Sequence, residues 1–353
     1  MFGIAICCYT AICCCTVQGK GRNVKNSGIG GQAVIEGIMM RNKNKYAVAV
    51  RKPDNNIEVM VKDYKNFTER YKFLNVPILR GMFNFVDSMI LGISTLTYSA
   101  DFYEDPQEQA PTTVDKVAKK IFKDKLDAVI MAATIIVSIC LAIGIFMLLP
   151  YFISRLLSQV IVSKTVLNLV EGIIRMLIFI LYVSLISLMK DIKRVYMYHG
   201  AEHKCINCIE NGLELNVKNV KASSKQHKRC GTSFMLFVMI ISIIFFMFIK
   251  FDNAVLQVVV RILLVPVIAG VSYEFIKLAG RSENKCVTVL SKPGMWLQNL
   301  TTKEPDEDMI EVAIKAVEAV FDWRAFRESY DDEDGIEFII EDSEEIQEYT
   351  VKK

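Results

Sequence analysis

The chain has 353 residues, of which 52% are hydrophobic, and its formal net charge is +3. Its mean hydropathy of +0.30 argues against an ordinary soluble protein. The basic residues accompany no recognisable nucleic-acid-binding module, so no nucleic-acid partner is expected.

Residues 1–27 form an apolar, cysteine-rich leader and a basic linker. Ten cysteines occur in all, without the spacing of a disulfide scaffold, which favours a reduced, cytosolic setting. Residues 2–17 are uncharged, but they are short for a membrane span, and no basic segment precedes them as in a secretory signal. Two interpretations stay open: a leader that touches the membrane, or an extension irrelevant to the fold.

Residues 28–76 are predicted to form a small β-rich cytoplasmic region. Apolar and polar residues alternate in YAVAVR, Tyr46–Arg51, and in IEVMVKDY, Ile57–Tyr64. The intervening KPDNN is rich in turn residues, which predicts a β-hairpin. The preceding GGQAVIEGIMM is a candidate third strand.

Residues 77–101 are predicted to form a membrane-associated helix. The segment is apolar but contains Arg80 and Asp87. A fifth span or a re-entrant segment is possible, and a helix lying on the membrane or packed into the bundle is favoured. A basic cytoplasmic linker, residues 102–126, follows.

Residues 127–284 contain four apolar segments, each near the roughly 20 residues that a bilayer requires. They are residues 127–151, 166–189, 232–249 and 254–276. The sequence therefore predicts a mainly α, polytopic helical membrane protein. It has about four spans, one interfacial or re-entrant helix and a small N-terminal β-hairpin region.

The distribution of basic residues predicts the orientation. The loop between the first two spans carries only Arg155 and Lys164, whereas residues 190–229 carry nine lysines or arginines. By the positive-inside rule, both termini and the loop 190–231 face the cytoplasm. The predicted location is the cytoplasmic membrane, crossed several times, with the lipid bilayer as the partner.

The C-terminal part is predicted to be cytoplasmic. Residues 285–325 contain MWLQNL, a sequence suited to an interfacial anchor, and Pro305-Asp306-Glu307, which predicts the start of a helix of about fifteen residues. Residues 326–353 form an acidic tail, with eleven acidic side chains and no basic one between Glu328 and Glu348. Such a tail is expected to be solvated.

The three histidines of the chain lie within one 29-residue window. His199 and His203 belong to YHGAEHK and are separated by one helical turn, so on a helix both imidazoles can reach one ion. With Glu202 they read H-x-x-E-H, an order found in zinc hydrolases in which the glutamate activates a water molecule. The competing interpretation is a pair of hydrogen-bonded core histidines.

A metal site requires at least one further ligand. His227 is the leading candidate, and Cys230 and Glu274 are the alternatives. Three protein ligands with one open position would indicate a catalytic site, whereas four would indicate a structural one. The spacing does not separate these two cases.

Four more polar residues stand in apolar surroundings. Glu171 and Arg175 lie four residues apart inside the second predicted span, where charges are costly and usually pair or face a cavity. Glu36 and Arg41 lie in a glycine-rich apolar run and are candidates to line the same site as the histidines; a turn is an equally good interpretation.

Six segments carry a resemblance to a known family: GGQAVIEGIMMR, PILRGMFNFVDSMILGISTLTYSA, NLVEGIIR, YHGAEHKCINC, KRCGTSF and PGMWLQNLTTKEPDEDMIEVAIKAVE. In this order they resemble the YqhQ family, bacterial membrane proteins of unknown function described as predicted metal-dependent enzymes. The resemblance covers roughly residues 28–320. It implies a polytopic membrane protein with a cytoplasmic histidine site and supplies no substrate. The cysteine-rich leader and Cys205 depart from the expected pattern.

The sequence thus predicts a membrane-embedded, metal-dependent enzyme with a cytoplasmic-face site. The expected cofactor is a divalent metal, zinc in the first place, held by His199, His203 and His227 with Glu202 as general base. Hydrolysis of a lipid-linked or membrane substrate is the expected reaction. The alternative is a non-catalytic transporter or assembly factor with a structural metal or histidine cluster. The sequence does not indicate an oligomeric state.

Overall fold

The computed structural model describes residues 25–103, 126–249, 251, 253–279 and 285–334. Most of the predicted leader, basic linker and acidic tail therefore lies outside the described residues.

The N-terminal region is a four-stranded antiparallel meander in the order β1-β2-β3-β4. Its strands are Gly30–Val34, Gly37–Asn42, Lys45–Arg51 and Ile57–Asp63. The predicted hairpin is β3 and β4. The predicted third strand was wrong in extent, since GGQAVIEGIMM makes two strands around the turn at Ile35 and Glu36. Glu36, the second residue of this turn, has a φ of +48°, in the left-handed region that a type II turn uses at this position.

Both faces of the sheet are covered. On one face Ile38, Met40 and Ala49 belong to a buried core with the helices Lys190–Glu210 and Glu307–Glu318. On the other face Met39, Val48 and Val50 pack with Leu91. Because successive side chains of a strand point to opposite faces, an apolar run such as GIMM suits a strand covered on both sides.

Twelve α-helices are present in the part of the chain that the structure describes. They are α1 Phe67–Arg70, α2 Leu79–Ala100, α3 Leu126–Ile143, α4 Leu149–Leu157, α5 Lys164–Ile186, α6 Lys190–Glu210, α7 Val217–Ala222, α8 Gly231–Met247, α9 Ala254–Ala279, α10 Lys285–Thr301, α11 Glu307–Glu318 and α12 Trp323–Asp334. A π-helical turn, Gly144–Leu148, joins α3 to α4 without a break. The mainly helical class is confirmed.

Within the described ranges, three helical stretches are long and apolar enough to cross a membrane: Ala132–Leu157, Lys164–Ile186 and Val255–Leu278. The first predicted span, residues 127–151, lies within a continuous helix that begins at Leu126 and continues through the π-helical turn to Leu157. The predicted third span corresponds to α8, a shorter apolar helix of 17 residues. The total of four spans stays a prediction.

The predicted membrane-associated segment is helical as α2, and it packs against α9. A Cβ atom at Gly81 would lie 2.7 Å from the carbonyl oxygen of Gly270, so the two helices approach closely at these small residues. Farther along, α2 packs against β1 and the second face of the sheet. It therefore connects the sheet to the apolar helices.

Candidate metal centre

Helix α6 carries the two histidines of the H-x-x-E-H motif. It ends at Glu210, and Gly212 follows with a φ of +69°, as the predicted stop signal requires. The ring centroids of His199 and His203 lie 4.4 Å apart, so the two imidazoles share one face of the helix. His203 is 1% exposed and His199 is half-buried.

Backbone carbonyls orient both imidazoles. His199 Nδ1 lies 2.9 Å from the carbonyl oxygen of Thr301, and His203 Nδ1 lies 2.7 Å from that of Lys225. A carbonyl oxygen only accepts, so each Nδ1 carries the proton and donates it. In the neutral ring the lone pair is then on Nε2, which is the arrangement usual for metal-binding histidines.

Cys230 provides the third donor atom. It is the N-cap residue of α8, and its Sγ lies 3.3 Å from His199 Nε2 and 3.1 Å from the hydroxyl of Thr232. One donor atom from each of His199, His203 and Cys230 lies within 4.8 Å of the others. Cys230, proposed from the sequence as an alternative ligand, thus joins the two histidines.

The thiol and the imidazoles alter each other's ionisation. Burial alone would raise the pKa of Cys230, but His199 and His203 outweigh it and hold that pKa well below its usual range. Burial alone would lower the pKa of His199, and the Cys230 sulfur reverses this and brings the pKa to about 9. The local field therefore favours a thiolate at neutral pH, which is the form that ligates metals.

Glu202 faces the same space. Its Oε2 lies 3.6 Å from His203 Nε2 and 3.8 Å from His199 Nε2, and the residue is 4% exposed. Gly31 of β1 lies directly against it, because a Cβ atom there would be 2.7 Å from Glu202 Cγ. The edge strand of the sheet thereby fixes one side of the candidate centre.

The donor set suits a transition-metal ion, for which imidazole nitrogen and thiolate sulfur are both common ligands. Three protein ligands would leave one coordination position open. The carbonyl partners of both histidines are the outer contacts that such ligands normally have. The three residues that would hold the ion are His199, His203 and Cys230.

His227, the leading third ligand from the sequence, is placed differently. Its Nε2 lies 3.2 Å from Glu210 Oε2, and its backbone N–H and C=O both bond to the Gln298 side chain. Its ring centroid is 5.8 Å from that of His203, outside the close set. Glu210 also bonds Arg229 and Ser27, so His227 belongs to a neighbouring buried ion-pair cluster.

Glu274, the other alternative ligand, is paired elsewhere. Both of its carboxylate oxygens accept hydrogen bonds from the Arg80 guanidinium, which joins α9 to α2. A carboxylate used in this two-point pair is not available to the histidine centre.

Glu36 and Arg41 do not contact the three donor residues. Glu36 accepts hydrogen bonds from Arg194 and, at 3.2 Å, from the hydroxyl of Tyr198, and so ties the β1–β2 turn to α6. Arg41 lies over the Tyr64 ring, with its guanidinium carbon 4.9 Å from the centroid. Both residues support the position of the sheet.

Glu171 and Arg175 form a direct ion pair of 2.8 Å, and both are almost fully buried within the bundle. They are in helix α5, whereas the three donor residues lie in α6 and before α8. The pair is therefore a separate feature from the candidate metal centre.

Sequence reasoning missed three contributors to this centre. The contacts of the Thr301 and Lys225 carbonyls could not be predicted from the residue types, because every residue has a backbone carbonyl oxygen. Gly31 has a detectable signal, since it lies in a glycine pair at the start of a strand, where a missing side chain often marks a close approach.

Fold and site together define a mainly helical protein. Its described residues include three helices long and apolar enough to span a membrane, and a His–His–Cys cluster against a four-stranded sheet. The family described as "Protein of unknown function (DUF1385)" matches residues 76–323. The uncharacterized protein YqhQ of Bacillus subtilis (strain 168) is 34% identical over 290 residues, which cover 81% of this chain and 90% of that protein. No solved structure matches the chain. The chain belongs to the YqhQ family, whose function is unknown, and the resemblance found in the sequence is confirmed.

Proposed function

We propose that the chain is a metal-dependent hydrolase of the cytoplasmic membrane, with a zinc centre held by His199, His203 and Cys230. One observation carries the proposal: the three donor atoms lie within 4.8 Å of one another. Both histidines are oriented through Nδ1, which leaves Nε2 for the ion. Mixed nitrogen and sulfur donors favour zinc over magnesium or calcium.

Zinc in this position would act as a Lewis acid and would lower the pKa of a water molecule to about 7. Glu202 is the general base of the proposal, because its carboxylate is 3.6 Å and 3.8 Å from the two Nε2 atoms and so faces the reacting space. Its role is to accept a proton from water and to pass it to the leaving group.

A substrate embedded in or linked to the membrane fits the location. Cys230 directly precedes the apolar helix α8, and α6 begins at Lys190, four residues after α5 ends at Ile186. The centre is therefore close along the chain to the ends of apolar helices. The positive-inside rule puts this end of the bundle, and both chain termini, in the cytoplasm.

A non-catalytic role is the second candidate, and the position of Glu202 favours it. A carboxylate oxygen within 4 Å of both Nε2 atoms is near enough to become a fourth ligand after a small side-chain shift. The coordination would then be closed and structural. The chain would in that case be a transporter or assembly factor.

The test uses the full chain in nanodiscs, incubated with membrane vesicles from cells that lack it. Mass spectrometry of the lipids and peptides then detects pairs of products. The two masses of a hydrolysis pair add up to the mass of a parent compound plus one water molecule. We expect such pairs with the wild type and with Glu214→Gln, a control at an exposed glutamate, and none with Glu202→Gln.

The metal content of Glu202→Gln separates the two candidates. A hydrolase retains its metal in this variant and loses the products. Products that persist in Glu202→Gln would contradict the assigned base. A structural site predicts no products from any variant and reduced metal retention in Glu202→Gln.

A further inference from the structure

A second buried polar cluster lies inside the helix bundle and contains one carboxylate and two guanidinium groups. Glu171 Oε1 accepts hydrogen bonds from Arg175 Nη2 at 2.8 Å and from Arg261 Nη1 at 2.6 Å. The three residues are 2%, 4% and 2% exposed, respectively. Because arginine stays protonated in proteins, this cluster carries a net charge of +1.

The other described partners of the two arginines are neutral. Arg175 donates to the carbonyl of Phe146 in the π-helical turn at 2.9 Å and to the Ser242 hydroxyl at 3.3 Å. Arg261 donates to the Asn168 side-chain oxygen at 3.4 Å, while its buried Nε has no partner among the described residues. Both guanidinium groups also lie over the Phe246 ring, with their carbons 4.9 Å and 5.1 Å from its centroid. The excess charge is thus stabilised by dipoles and by aromatic rings.

One aromatic ring connects this cluster to the surface. The guanidinium carbon of Arg261 lies 5.7 Å from the ring centroid of Tyr151, whose hydroxyl accepts a hydrogen bond of 3.3 Å from Arg155. Arg155 is exposed and lies in a groove of about 400 Å³. The groove is lined by no acidic residue; its lining residues are Phe152, Arg155, Leu156, Ser158 and Gln159.

We propose that this groove binds the phosphodiester of an anionic phospholipid. Arg175 and Arg261 share the single carboxylate of Glu171, and Arg155 lies on the far side of Tyr151, so these four charged groups carry a net charge of +2. Interactions between charges are strong in a medium of low dielectric constant, so an anion beside Arg155 is attracted by the buried cluster as well. The guanidinium binds two phosphate oxygens at once.

The apolar lining argues for a lipid rather than a free anion. Phe152 and Leu156 are 58% and 72% exposed, and they flank Arg155 on α4. Exposed apolar side chains beside a cation suit acyl chains beside a phosphate headgroup. By the orientation inferred from charge, the groove lies at the end of the bundle away from the His–His–Cys centre and is independent of that centre's function.

Native mass spectrometry of the full chain in detergent micelles with phosphatidylglycerol tests this inference. We expect one bound phosphatidylglycerol per wild-type chain and about tenfold weaker retention in Arg155→Gln, the effect of one charge-assisted interaction. Arg70→Gln is the matched control, since Arg70 is also exposed and also lies near a tyrosine ring, 5.7 Å from the Tyr71 centroid. It should retain the lipid within about twofold.

Two competitors define the ligand. Phosphatidylcholine at equal concentration should displace little of the phosphatidylglycerol, and inorganic phosphate should displace none. Equal retention by Arg155→Gln and the wild type would overturn the site. Displacement by inorganic phosphate would overturn the lipid assignment. Size-exclusion profiles establish that the variants remain folded, and none of these measurements depends on the metal.

Discussion

Gly200 of α6 lies directly against the backbone of the segment that follows α10. A Cβ atom at this position would lie 2.0 Å from the carbonyl oxygen of Lys303, a backbone atom that cannot rotate away. Two hydrogen bonds hold this segment against α6: Lys303 N–H to the Tyr196 carbonyl, 2.9 Å, and His199 Nδ1 to the Thr301 carbonyl, 2.9 Å. The substitution Gly200→Ala must therefore separate the two elements.

The expected cost can be worked from these contacts. Alanine in a helix interior is favoured over glycine by about 1 kcal/mol. Overpacking typically costs about 1–3 kcal/mol, and each hydrogen bond lost costs roughly 1 kcal/mol. The net expectation is a fall of about 3 kcal/mol in the free energy of unfolding, together with lower metal occupancy, because the His199 ring loses its carbonyl partner.

Denaturant titration of the full chain in mild detergent measures this change. Gly144→Ala is the matched control, because a Cβ atom there meets nothing within 4 Å. We expect this control to be neutral or slightly stabilising. If Gly200→Ala were as stable as Gly144→Ala, helix propensity would outweigh the contact with Lys303, contrary to the expected destabilisation.

Two further predictions concern neighbouring charged groups. Burial alone would raise the pKa of Glu210, but the His227 hydrogen bond and the Arg229 charge outweigh it and lower the pKa from 4.5 to about 2. Glu210→Gln should then reduce the unfolding free energy by about 3 kcal/mol at pH 7. This stabilisation is complete above about pH 4.5 and is lost as the pH falls toward 2. A difference in unfolding free energy between Glu210→Gln and the wild type that stayed constant from about pH 4.5 to about pH 2 would contradict the prediction. After metal is removed with a chelator at neutral pH, iodoacetamide should label Cys230 before Cys205. Burial raises the pKa of both thiols, but at Cys230 the imidazoles of His199 and His203 outweigh burial and lower the pKa. Peptide mass spectrometry measures the order, and the reverse order would count against the thiolate.

Local sequence patterns predicted the helix of the H-x-x-E-H motif well. One-turn spacing is a local property, so the pairing of His199 and His203 followed from the helix itself, and the stop at Asn211-Gly212 followed from turn chemistry. The β3–β4 hairpin was predictable for the same reason. Apolar alternation and a polar turn are both contained within twenty residues.

The third donor was not predictable from spacing. His227 and Cys230 are only three residues apart, and both precede α8. Which one reaches the histidine pair depends on how the chain enters the helix. Cys230 takes the N-cap position and His227 is held by Gln298, a contact over 71 residues of sequence. Long-range contacts of this kind produce no periodic pattern in the sequence.

Elemental analysis of the purified chain, wild type beside single variants, tests the metal centre most directly. We expect about one zinc ion per wild-type chain and none in His199→Ala, His203→Ala or Cys230→Ala. His227→Ala should retain the ion, since its imidazole pairs with Glu210 instead. A wild-type chain without metal, or a His203→Ala chain that keeps it, would show that these three residues do not form the zinc centre.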